Sequence, residues 1–149
     1  MSADEWVLVM NSSRARVVRG LPREGSPALP ELSMRAPNRR LGELMADKPG
    51  RSFASGAPGR RSAMDYGSDP LREHDRDFAR QVIAMLEPHR AAGEFRALSI
   101  IAAPEMLGHL REAMPPALAA MVRRESDKNI AGVHDSVLLE AIRAELGAD

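Results

Sequence analysis

Ala97-Leu98-Ser99-Ile100-Ile101-Ala102-Ala103 is a run with no polar face. A strand of this kind is expected at the centre of a sheet that is covered on both sides. Coverage on both sides requires helices above and below, so the run selects an α/β architecture.

The rest of the chain supplies those layers. Trp6-Val7-Leu8-Val9-Met10 is a short apolar run closed by Asn11-Ser12-Ser13, and Ala15-Arg16-Val17-Val18-Arg19 follows until Gly20. The brief turn between them favours an antiparallel hairpin. Glu31-Leu32-Ser33-Met34-Arg35 alternates polar and apolar residues, as an edge strand does. From Asp69 the period becomes helical: Leu71, Phe78, Val82, Leu86 and His89 share one side, Pro70 suits the first helical position, and Asp69 can cap. Pro88 is expected to end or bend this helix, with Gly93 marking the stop. Pro104 opens a second helix to about Met114, and Pro115-Pro116 a shorter one through Val122. Residues 124–130 are a last candidate strand. Asp135 is placed to cap a final helix along Leu138, Leu139, Ile142 and Leu146. The order βββ-α-β-αα-β-α is that of a ribonuclease-H-like domain, a mixed five-stranded sheet with helices on both faces. A length of 149 residues suits one domain, taken as 1–149.

Composition narrows the function. The absence of cysteine excludes disulfides, thiolate metal sites and a cysteine nucleophile. No apolar run reaches the roughly 18–20 residues of a membrane-spanning helix. The acidic start Ser2-Ala3-Asp4-Glu5 is unlike a secretory signal, which predicts a cytoplasmic protein with no membrane partner.

The 21 bases and 21 acids cancel overall, but not locally. Residues 35–62 hold seven bases (Arg35, Arg39, Arg40, Lys48, Arg51, Arg60, Arg61) against two acids (Glu43, Asp47), whereas residues 63–149 hold ten bases against fifteen acids. The basic stretch falls between the third strand and the long helix, where only 39–46 has the pattern of a helical turn or two. A structureless stretch of such length within a domain is uncommon, and is usually either functional or a flexible solvated loop. Residues 47–68 therefore stand out as a functional insertion. Its arginines can fork onto phosphates, its glycines expose backbone N–H groups, and Phe53 offers a ring for stacking. A phosphate-rich partner, such as tRNA or ribosomal RNA, fits this combination. Lys48, Arg51, Phe53, Gly56, Gly59, Arg60 and Arg61 are the candidate RNA-binding residues.

The strings Lys48-Pro49-Gly50-Arg51-Ser52-Phe53, Gly59-Arg60-Arg61-Ser62-Ala63-Met64, Arg72-Glu73 and Phe78-Ala79-Arg80 resemble the bacterial host attachment protein family. So do Leu98 to Pro104 and Leu107-Gly108-x-Leu110-Arg111. That family is in turn similar to the middle domain of archaeo-eukaryotic peptide-chain release factors. The resemblance implies a ribonuclease-H-like fold and a Gly-Gly-Gln loop that promotes peptidyl-tRNA hydrolysis on the ribosome. Here Gly-Gly-Gln-Ser-Ala falls on Gly59-Arg60-Arg61-Ser62-Ala63, with arginines in place of the second glycine and the glutamine. Arginine offers donors only, where glutamine offers both donor and acceptor. The motif is degenerate, and both replacements add positive charge. Binding without hydrolysis is the first expectation; Arg61 and Ser62 are the candidates if an ester hydrolase activity persists in ribosome rescue. An indirect role in attachment or adhesion is the third reading.

Other chemistry finds less support. A two-metal nuclease needs carboxylates on the first and central strands, and neither Trp6–Met10 nor 97–103 carries one. His74 and Asp77 could form a metal pair, but a pair falls short of three or four ligands. His74 reads instead as a boundary residue with one ring nitrogen in water. Neither Ser55 nor Ser62 lies in Gly-x-Ser-x-Gly, and no Gly-Lys-Ser/Thr completes a phosphate loop. No metal and no cofactor are expected.

Overall fold

A computed structural model describes residues 4–20, 31–37 and 69–147. Five strands and four helices follow in chain order: β1 Glu5–Met10, β2 Arg14–Val18, β3 Leu32–Arg35, α1 Pro70–Ala91, β4 Ala97–Ala102, α2 Pro104–Ala113, α3 Pro116–Ala119, β5 Val122–Ser126 and α4 Asp135–Leu146. The strands form one sheet in the order β3-β2-β1-β4-β5. The β1–β2 and β2–β3 pairs are antiparallel, while β1–β4 and β4–β5 are parallel, so the sheet is mixed.

Alternation along the strands divides the core in two. Trp6, Leu8, Met10, Leu98, Ile100 and Ala102 face α1, α2 and α3, packing on Phe78, Val82, Leu86, Met106, Leu110 and Leu118. Val7, Val9 and Ile101 point the other way, toward Leu138 and Ile142 of α4. Every residue of β1 and of β4 is buried, as the run at 97–103 requires. The rings of Trp6 and Phe95 stack with centroids 4.7 Å apart, closing the end of the larger core.

Helix boundaries follow capping chemistry. The Asp69 side chain accepts from the backbone N–H of Leu71 and Arg72, and Pro70 takes the first position, where no N–H is needed. Gly93 adopts φ 77° just beyond the end of α1, a conformation that suits glycine.

Four sequence expectations shift. α1 runs through Pro88 to Ala91, because the carbonyl that Pro88 leaves without its donor belongs to exposed Ala84, in reach of water. α3 stops at Ala119 instead of reaching Val122, and β5 occupies 122–126 instead of 124–130. Asp135 is not the cap of α4; the ring of His134 accepts from Ser136 N–H, and Asp135 is the first helical residue.

Candidate functional site at the carboxyl end of the sheet

Lys48, Arg51, Phe53, Gly56, Gly59, Arg60, Arg61 and Ser62 lie outside the described residues. The described residues do include the frame on both sides of segment 38–68. β3 ends with Arg35 directly opposite Arg14 of β2, beside the hairpin turn that follows β1. One residue on, Ala36 N–H donates to Ser13 O at 3.0 Å. The Pro37 carbonyl then accepts from His74 Nε2 at 3.0 Å. At the far end, Asp69 caps α1 only five residues before His74. Pro37 and Asp69, the described residues on either side of segment 38–68, are thus both held at the opening turns of α1.

His74 was expected to keep one nitrogen in water. Instead its side chain is largely covered, with Nδ1 3.4 Å from Asp75 and Nε2 committed to Pro37. A ring nitrogen that meets a carbonyl must carry the proton, so Nε2 is the donor.

This location is the end of the sheet where the parallel strands β1 and β4 finish, the end that holds ligands in open α/β sheets. Ala103 N–H donates to Met10 O, joining the two strand ends. The turn after β1 is rigid: Asn11 Oδ1 accepts from the backbone of Ser13 and Arg14, and Asn11 Nδ2 donates to Asn129 Oδ1 at 3.0 Å.

A cleft of about 490 Å³ opens between α1 and α2 next to the segment's attachment points. Arg72, Asp75 and Arg76 of α1 form one wall, and Glu105, His109 and Glu112 of α2 form the other, with Asp69 at the end. Asp69 is engaged in capping and Asp75 lies against His74, and among the described residues the guanidinium groups of Arg72 and Arg76 form no ion pair.

Buried polar groups on the α4 side of the sheet have structural partners. β1 begins at Glu5, one residue earlier than the sequence suggested, so the first strand does carry a carboxylate. Glu5 Oε2 accepts from Ser99 Oγ at 2.8 Å and from Arg124 Nη2 at 3.1 Å. Burial opposes its charge, but the Ser99 hydrogen bond and the Arg124 guanidinium outweigh that and hold the carboxyl below its usual range. Its lone pairs serve an ion pair. Among the described residues, no group of three or more His, Asp or Glu side chains is placed to hold a metal ion.

Arg16 is the polar residue that sequence reasoning missed. Its side chain is fully buried on β2. It donates to Glu31, to Asp135 and to the carbonyls of Ala131 and Val133, tying β2 to the chain before β3 and to the approach to α4. The available signal was its place between Ala15 and Val17, where alternation points it to the same face as Val18.

Among the described residues, no helix is long and apolar enough to cross a membrane. Residues 6–142 match a family model described as "Protein required for attachment to host cells". No curated protein matches the chain.

Proposed function

The chain belongs to the family of proteins required for attachment to host cells, and from that premise we propose that it is a translation-linked RNA-binding protein of the cytoplasm. Its scaffold is ribonuclease-H-like and akin to the middle domain of peptide-chain release factors. Segment 47–68 docks on tRNA or ribosomal RNA through a degenerate Gly-Gly-Gln-type loop. Arg51, Arg60 and Arg61, with Lys48, contact phosphate; Phe53 stacks or anchors; Gly56 and Gly59 allow close backbone approach.

The observation that carries the reading is the pair of attachments on α1. Pro37 is bonded to His74 and Asp69 caps the same helix, so the described residues that flank the cationic segment are fixed at the carboxyl end of the sheet. A segment held at both ends loses less entropy on docking than a free tail would. The sheet order β3-β2-β1-β4-β5, with an antiparallel meander on one side and parallel strands on the other, supports the scaffold assignment.

The test is recovery of RNA with the tagged protein from cells, followed by sequencing, against the Arg51/Arg60/Arg61→Ala variant. Enrichment of tRNA or ribosomal RNA that disappears in the variant is expected. Equal recovery by both proteins contradicts the proposal. Release of peptide from peptidyl-tRNA on isolated ribosomes, lost in Arg61→Ala, would move the assignment to an ester hydrolase. The family's description favours a second reading, in which attachment is an indirect consequence of this activity; detection of the native protein on the cell surface would replace it with direct adhesion.

A further inference from the structure

We propose that His134 is a pH-operated cap on α4: the neutral ring holds the first turn of the helix, and the charged ring releases it. The device is independent of RNA binding.

His74, His89 and His134 each hold a partner through a ring nitrogen, but in different roles. His74 Nε2 meets the Pro37 carbonyl, and His89 Nδ1 lies 3.0 Å from a carboxylate oxygen of Glu94. Both partners only accept, so both rings donate. An imidazolium donates equally well, and those two bonds survive protonation. His134 is the reverse case. Its Nδ1 accepts from the Ser136 backbone N–H at 3.0 Å and lies 2.9 Å from the Ser136 hydroxyl oxygen. An imidazolium has no lone pair to offer, so protonation ends the cap. The Asp69 cap of α1 differs again, because a carboxylate goes on accepting throughout the range in which histidine titrates.

The surroundings do not reward a charged ring. His134 stands at the positive end of α4, where added positive charge is unfavourable. The carboxylates beside it are engaged: Asp135 with Arg16 and, at 3.8 Å, with Arg14, and Glu31 with Arg16. Two guanidinium groups thus face two carboxylates, and among the described residues His134 has no ion pair of its own. The turn that is released carries Asp135 and its bond to Arg16. Leu138 and Ile142, buried in the smaller core, keep the rest of α4 on the sheet. Acid therefore frees one turn and leaves the cover of Val7, Val9 and Ile101 in place.

The experiment compares thermal midpoints of wild type, His134→Asn and His134→Ala at about pH 8 and about pH 5, on either side of the histidine range. Asparagine caps without titrating there, and alanine does not cap. At the higher pH wild type should melt close to His134→Asn and roughly 2–4 °C above His134→Ala. At the lower pH it should lose that lead over His134→Ala and fall behind His134→Asn. Glu5 and the other histidines are common to all three proteins, so their effects cancel. A gap between wild type and His134→Asn that is equal at both pH values overturns the proposal. Should a variant not fold, hydrogen exchange in wild type decides. The Ser136 N–H, corrected for its intrinsic rate, should be protected at the higher pH and lose that protection at the lower; equal protection at both overturns the cap.

Discussion

His74 donates from Nε2 to the carbonyl of Pro37 at 3.0 Å, fixing the last described residue before segment 38–68 to the long helix. His74→Ala removes that bond and leaves a carbonyl on exposed Pro37 that water can reach, so the cost is modest. Stability should fall by about 0.5–1.5 kcal/mol in urea denaturation. RNA affinity should fall while its salt slope stays at the wild-type value, because no phosphate contact is removed. A reduced slope would mean that His74 touches the nucleic acid itself.

Arg16 poses a larger stability question. Arg16→Ala leaves Glu31 and the carbonyls of Ala131 and Val133 without their shared donor. Removing one partner of a buried ion pair typically costs about 3–5 kcal/mol. Here Asp135 is mostly exposed and can rehydrate, which places the expected loss near the low end, about 3 kcal/mol. Urea denaturation checks it, and a loss under about 1 kcal/mol, the scale of a surface pair, would show that the cluster stabilises little.

Glu5 makes part of the stability depend on pH. Its carboxyl is held below the ordinary value of 4.5, so the folded state favours the ionised form. The contribution is fully present above that ordinary value and disappears as pH falls through the lower, folded value. Glu5→Gln should therefore be less stable than wild type at neutral pH, with the difference shrinking as pH drops below about 4.5. Denaturation midpoints of the two proteins from neutral pH into acid test this. A difference that is constant with pH would exclude the ionised carboxyl as its source.

The scaffold was legible wherever burial is apolar. The run at 97–103 demanded cover on both faces, and the switch to helical spacing at Asp69 located α1 at its cap. Legibility failed where a strand buries charge against a partner far along the chain. The charges at 124–130 hid the bounds of the last strand: Arg124 lies inside it with its guanidinium on Glu5, 119 residues away, and β5 starts at Val122, where the sequence pattern ends the short helix. Arg16 concealed itself the same way, through Asp135 and two distant carbonyls. The candidate site was legible in part. Charge and glycine content singled out 47–68, but the hold of His74 on Pro37 depends on an approach between residues 37 apart that no local pattern encodes.

The central claim is that the cationic segment binds RNA through its arginines. The affinity of the wild-type protein for bulk tRNA, measured from about 50 to about 200 mM salt, tests it most directly. The account predicts a steep linear fall of log affinity with log salt, and a slope shallower by roughly 2–3 in Arg51/Arg60/Arg61→Ala. Affinity that stays flat with salt, or an identical slope in the triple variant, would contradict it.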